Sequence, residues 1–431
     1  MEGGVKKTKV AIATTFNSYD NAYSLINVVA DQIRMLRFAG YSPVVLVQEG
    51  FVPEDVFKDV ELRFLPAVHV YNEVKIDETF EADQESLYQA MKKLLEDVKV
   101  IITHDWIYQP DALKHQVAAR RIAKEDPTKR WLHWIHSATT PFILSTQRGG
   151  GNKFMDMIKE DWPHSFICFP NSYSVPRVAT HYGLPPERVK VVHHPTDIPS
   201  YFGFDETETR LWREKKLWLA DAIAVAPARL DRGKQIEWVI KIMAGLKMDG
   251  QQVRVIVVDF HSTGGDKVNY REELKQVAID WGLNPMEVTF TSEFDQVWQT
   301  RVPRKTVSNL FAISNVFILP SRSETYSLVA QEAGLRGNLL VLNNDFPPFR
   351  DIYGPTALYH PFSSNIDKMT GMDGETTTKY TSERDFSLEV GRMIKYHLEN
   401  DFALKMRTKL RKERSVEGVA QNEFIPIIEG V

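Results

Sequence analysis

The sequence predicts an α/β protein of two doubly wound, Rossmann-like parallel-sheet domains. Three observations carry this expectation. The chain has 431 residues, which at about 150 residues per domain makes two to three domains. Short apolar runs alternate with helical patterns through residues 9–130, the signature of βαβ units. The same rhythm then restarts after a break near Pro199 to Thr207.

In the first half the strand-like run KVAIATTF leads into a helix across Ser24 to Ala39. PVVLVQ follows, then VKVIITH and a helix across Asp111 to Ala123. The run Val98 to Thr103 is mostly Val and Ile, with Lys99 near its start, as for a strand buried on both faces along most of its length. Helices must then cover both sides of the sheet. The second half reads DAIAVAPARL, a helix from Gln235 to Met248, VRVIVVDF, a helix from Tyr270 to Trp281, and NVFILP followed by another helix. The polar segment Ser363 to Glu383 closes it, and a helical stretch follows from Asp385 to Ser415. The expected boundaries are 1–200, 201–384 and 385–431, the last a helical segment crossing back to the first domain. No tandem repeat with a period of about 20 to 50 residues is present. Open parallel sheets bind ligands beyond the carboxyl ends of their strands, so two of them imply a central cleft.

Composition narrows the classes. With 53 Lys and Arg against 57 Asp and Glu the net charge is −4, so no global basic field calls for nucleic acid or an anionic surface. The 43% hydrophobic content lies outside the disordered class. A single cysteine, Cys168, excludes an intramolecular disulfide framework and a thiolate zinc cluster. No run of about 18 apolar residues suggests a membrane span, and MEGGVKKTKVAIA is too brief for a signal core; the expected compartment is the cytoplasm. No Asp-x-Asp, H-x-x-x-H or H-E-x-x-H spacing marks a metal site, and the neighbours His193 and His194 need not converge. No metal or cofactor is expected.

The most informative stretch is FILPSRSETYSLVAQEAGLRGNLLVLN. A buried strand ends at Leu319, a polar turn carries Ser321 to Ser323, and a helix opens near Tyr326. The opening of a helix presents N–H groups and partial positive charge to an anion. Glu324 and Glu332 bracket it, with seven residues between them. Carboxylates accept hydrogen bonds from hydroxyl pairs, but from spacing alone the plainer reading is a helix-terminal charge and a solvated-face residue.

The pattern PS-x-x-E-x-Y-S-L-V-x-x-E-A-x-x-x-G resembles the signature of glycosyltransferase family 4 and its relatives of GT-B architecture. Other segments resemble that family in the same order: ITHDW, WLHWIHS, NSYSVPRVATHYGLPPERVKVVHHPTDI, PARLDRGK and NDFPPFRDIYG, spanning about Lys9 to His360. The resemblance implies a retaining, metal-independent glycosyltransferase that uses a nucleotide-diphosphate sugar. Arg229 and Lys234 would hold the donor diphosphate, His136 would lie against the donor sugar, and Glu324 would complete the catalytic set. Glu332 would take the ribose, with Thr325, Tyr326, Ser327 and Leu328 at the helix opening also on the donor. Asp259 and Phe260 would face the nucleobase, although a strand-end core Phe is an equal reading. His104, Asp105 and Asn17 are candidates for acceptor or sugar contact, and His133 reads as a core histidine. Charge that builds on a departing diphosphate suits two fixed cations, one a bidentate fork and one a point charge. Front-face attack is expected, with the departing phosphate taking the acceptor proton.

Three segments depart from the family pattern. TTFNSYDNAYS replaces the glycine pair after the first strand, and Asn17, Ser18 and Asn21 supply either ligand hydrogen bonds or turn caps. HHPTD replaces an Asn-Gly near the linker, and VVDFHSTGGD forms the turn after the second domain's second strand. The acceptor is open among glycan, lipid, small molecule and modified nucleic acid base. Gln147 to Lys153, with three glycines, is either a closing loop or a surface excursion. The basic run from Lys405 to Arg414 suits contact with a membrane surface or a nucleic acid, with a solvated terminal helix the preferred reading and no stable membrane insertion. The alternative functions are a sugar-nucleotide epimerase on the same fold and an inactive sugar- or nucleotide-binding subunit.

Overall fold

The structure is a computed structural model that describes residues 8–69, 78–107, 109–138, 157, 160, 162–227, 229–259, 266–322, 324, 326–362, 369–370, 376–377 and 382–430. The chain divides into two units: Met1–Thr196 with Val416–Val431, and Asp197–Ser415.

The first unit is a wholly parallel sheet in the order β3-β2-β1-β4-β5-β6-β7. Its strands are β1 (Lys9–Ala13), β2 (Ser42–Gln48), β3 (Glu61–Leu65), β4 (Val100–His104), β5 (Arg130–Trp134), β6 (Ser165–Phe169) and β7 (Val189–Val191). The pleat sorts its two faces. Ala11, Ala13, Val44, Leu46 and Ile101 pack with side chains of α2 (Phe80–Leu94), α3 (Leu113–Glu125) and α4 (Val175–Tyr182). Their neighbours Val10, Ile12, Val45, Val47 and Ile102 pack instead with α1 (Ser24–Phe38) and with Val416, Val419 and Phe424. Successive strand side chains point to opposite faces, so near-continuous apolar runs are what a sheet covered on both sides demands.

The second unit is also parallel, in the order β10-β9-β8-β11-β12-β13. The strands are β8 (Ala222–Pro227), β9 (Val253–Val258), β10 (Val288–Phe290), β11 (Val316–Leu319), β12 (Leu339–Asn343) and β13 (Leu358–His360). Its helices include α5 (Glu206–Glu214), α6 (Ile236–Met248), α7 (Asp266–Asp280), α8 (Arg304–Ile313), α9 (Leu328–Leu335), α10 (Pro348–Tyr353), α11 (Glu383–Asn400) and α12 (Phe402–Glu413). Helices α6 and α11 approach closely at two glycines. A Cβ on Gly245 would lie 2.2 Å from the Ser387 carbonyl oxygen, and one on Gly391 2.8 Å from the Leu246 nitrogen, so neither site admits a side chain.

Two expectations change. The stretch Asp385 to Ser415 is two helices, not one, because Asp401 ends α11 and caps α12, its carboxylate accepting from the Leu404 N–H at 2.9 Å. The expected carboxy-terminal segment 385–431 also divides: residues to Ser415 stay with the second unit, and only 416–431 belong with the first. The loop Gln147 to Lys153, Phe260, Thr325 and most of the segment Ser363 to Glu383 lie outside the described residues.

Candidate active site

In the second unit the motif residues gather where β8 and β11 end. Arg229 follows β8 and is exposed, and among the described residues its guanidinium has no hydrogen-bond or ion-pair partner. The Asp231 carboxylate then accepts from the Gly233 N–H at 2.8 Å, closing a single 3-10 turn over Arg232–Lys234. The Arg322 N–H donates to the Gly233 carbonyl at 3.0 Å, which fixes this turn against the exit of β11. The result is an ion pair between Lys234 Nζ and Glu324 Oε1 at 2.5 Å, both partly buried. Arg232, the remaining cation of the turn, is drawn away: its guanidinium forks onto Glu273 at 2.6 and 2.7 Å.

Asn343, buried at the end of β12, holds the neighbouring exits together. Its amide donates to the Ser321 carbonyl at 3.0 Å and its oxygen accepts from the Asp345 N–H at 3.0 Å. Helix α9 begins at Leu328, two residues after the expected opening. Its N-cap is Ser327, which sits in the left-handed region at φ 68° and whose hydroxyl accepts from the Ala330 N–H at 3.4 Å. Tyr326 and Leu328 are exposed beside this opening. Glu332 lies within α9 and is held by Arg304 of α8, at 3.0 Å from Nε and 2.5 Å from Nη2.

Asp259 departs from its expected role. It is 1% exposed, and its carboxylate accepts from the Ser292 N–H at 3.0 Å and the Ser292 hydroxyl at 2.6 Å. A carboxylate buried with several fitted donors is committed to the β9–β10 exits and does not face a nucleobase.

In the first unit three histidines form a column at the carboxyl ends of β4 and β5. His104 and His136 stack with ring centroids 5.7 Å apart, and His136 and His194 stack at 5.7 Å with an interplanar angle of 2°. His104, expected to touch acceptor or sugar, is instead buried, its Nε2 placed 2.9 Å from Gln32 Oε1 and its Nδ1 3.4 Å from His136 Nε2. Asp105 takes the left-handed conformation at φ 60° and accepts from the His136 N–H at 3.2 Å, so it positions His136. Burial pushes the His136 imidazole down to about 4 and lowers His194 as well, while burial drives His104 well below its ordinary value. His136 is therefore neutral at pH 7. His133 is a core residue, its Nδ1 2.8 Å from Thr103 Oγ1. The pair His193 and His194 diverges: His193 Nδ1 lies 2.9 Å from Glu423 Oε1, while His194 faces His136. Asn17 lines a cavity of about 290 Å³ together with Thr15, Phe16, Asp20, Tyr23 and His69. Among the described residues, no group of three or more His, Cys, Asp or Glu side chains is placed to hold a metal ion.

Sequence reasoning missed Asn343, Gln32 and Arg304, and weighed His194 only as a metal ligand. The asparagine at a strand exit was a legible signal; the other three depend on long-range packing. The basic run near the carboxy terminus is largely consumed. Arg407 donates to the carbonyls of Ala312, Ser314 and Gly337, and buried Arg411 donates to those of Ala220 and Ile313. A larger cavity, about 440 Å³ between Lys215, Ile279, Phe290 and Phe294, involves none of the motif residues.

Residues 208–361 match the family model described as glycosyl transferases group 1. The matched stretch lies within the second unit and covers β8 to β13, one of the two Rossmann-like parallel sheets. Among solved structures the chain is similar to a glycosyltransferase from Rickettsia africae (12% identity, 99% of each chain covered, TM-score 0.36). It is also similar to HepE from Anabaena in complex with UDP and glucose (13%, 98% of this chain and 100% of that one, 0.36). A third is sucrose-phosphate synthase from Thermosynechococcus elongatus (13%, 98% and 99%, 0.35). No curated protein sequence matches the chain.

Proposed function

We propose that the protein moves a sugar from a nucleotide-diphosphate sugar to an acceptor hydroxyl, with retention of configuration and without a metal ion, in the cytoplasm. The observation that carries this reading is the pair of cations in the stretch after β8, where Arg229 is open and Lys234 is oriented by its ion pair with Glu324 at the β11 exit. Two preorganised cations at one strand exit suit the charge that develops on a leaving diphosphate. Arg229 supplies a fork for phosphate oxygens and Lys234 a point charge. Glu332, in the first turns of α9, is the carboxylate for a ribose diol, replacing Arg304 as its partner. The bond from the anomeric carbon to the diphosphate breaks while the acceptor oxygen bonds the same face, and the acceptor proton passes to the departing phosphate oxygen. Neutral His136 offers a hydrogen bond, not a charge, to a sugar hydroxyl.

The test is incubation with UDP-, GDP- and ADP-sugars in EDTA, with oligosaccharide, lipid and small-molecule alcohols as acceptors, and NMR of the product anomer. Release of the nucleoside diphosphate with retained configuration is expected. An inverted product, dependence on added metal, or no consumption of any donor would overturn the reading.

A further inference from the structure

We infer that the outer face of α12 is a docking surface for an anionic lipid bilayer. The structure sorts the basic run of this helix into two sets. Arg407 and Arg411 donate to backbone carbonyls of the second unit, and Lys412 pairs with Asp221; these side chains hold the helix down. The opposite face is apolar and open: Phe402 is 91% exposed, Met406 54% and Leu410 48%. Spaced four residues apart, they form one stripe along the helix, at about 0°, 40° and 80° around its axis. Lys405 and Lys409 border that stripe at about −60° and −20°. Both are exposed, and among the described residues neither has a hydrogen-bond or ion-pair partner.

Leu335 at the end of α9 is also exposed, at 88%. It lies two residues before Gly337, whose carbonyl Arg407 holds at 2.5 Å. Of the acidic groups of α12 and its cap, the Asp401 carboxylate caps the Leu404 N–H, and exposed Glu413 closes the carboxyl end of the stripe at about 20°.

An apolar stripe edged by free lysines is the chemistry of an interfacial helix. Phe, Met and Leu enter the acyl boundary while lysine stems snorkel their ammonium groups to lipid phosphates. Each such cation is drawn to an anionic surface, within a Debye length of it. The net charge of the whole chain is −4, so the attraction belongs to this face and would orient the protein on the bilayer. Three apolar side chains fall far short of the roughly 20 to 30 residues per partner of a stable protein interface, which favours a bilayer over a second copy of the chain.

The experiment is co-sedimentation of the full chain with vesicles of phosphatidylcholine alone and of phosphatidylcholine mixed with phosphatidylglycerol. Binding to the anionic vesicles, weakened by salt and absent from the neutral ones, is expected. The variant Phe402→Ser/Met406→Ser/Leu410→Ser and the variant Lys405→Glu/Lys409→Glu should each lower the bound fraction about tenfold with unchanged thermal midpoints, since all five side chains are exposed. No binding to anionic vesicles, or equal binding by both variants, overturns the proposal. A concentration-dependent dimer abolished by the serine variant, with vesicles ignored, would assign the face to a second copy instead.

Discussion

Lys234 Nζ and Glu324 Oε1 lie 2.5 Å apart although they come from different strand exits, 90 residues apart in sequence. The contact joins the turn after β8 to the turn after β11. It orients the Lys234 ammonium in the turn that follows β8, the stretch that also carries the exposed Arg229.

Lys234→Ala and Arg229→Ala should each lower turnover by roughly 2–4 kcal/mol of transition-state stabilisation, about 30- to 1,000-fold. Stability should change by less than about 1 kcal/mol, because Arg229 is exposed and the Lys234–Glu324 pair is partly so. Steady-state kinetics and thermal unfolding of the same preparations separate the two effects.

Glu332→Ala should act differently. A ribose contact is equally strong in ground and transition states, so donor KM should rise about tenfold with kcat little changed. Its present partner Arg304 is 84% exposed at the side chain, so Arg304→Ala should leave the thermal midpoint within about 1 °C.

Asp259→Ala should be a stability variant. Removing a buried acceptor leaves the Ser292 N–H and hydroxyl unsatisfied, at a cost of about 2–4 kcal/mol. Chemical denaturation measures this loss, and donor KM in the folded fraction should stay within about twofold.

The histidine column fixes a pH dependence. An unfolded histidine titrates near 6.5, whereas folded His136 is held at about 4, with His104 and His194 also lowered. Between these values the unfolded state binds more protons, so stability is full above about pH 6.5 and falls as the pH drops toward 4. His136→Asn should flatten this slope. Urea midpoints at pH 7, 6 and 5 for both proteins provide the check.

The doubly wound fold was legible because strands buried on both faces leave continuous apolar runs such as VVLV and VIIT, and because helices between them keep a helical period. Helix boundaries moved by a few residues where capping decided them: Ser327 delays α9 to Leu328, and Asp401 splits one long helical pattern into two. At the candidate site the resemblance singles out Arg229, Lys234, Glu324 and Glu332, and the structure pairs Lys234 with Glu324 and Glu332 with Arg304. Asp259 was not, because nothing near it in sequence reveals that Ser292, 33 residues away, supplies its donors. His104 was misplaced for the same reason, its burial being set by Gln32 on α1.

The most direct test of the phosphate clamp is calorimetric titration of the protein with UDP, GDP and ADP in EDTA, beside the double variant Arg229→Ala/Lys234→Ala. The account predicts that one nucleoside diphosphate binds without metal and that the double variant loses about 100-fold or more in affinity. Equal affinity in the double variant, or binding only when a divalent metal is added, would contradict it.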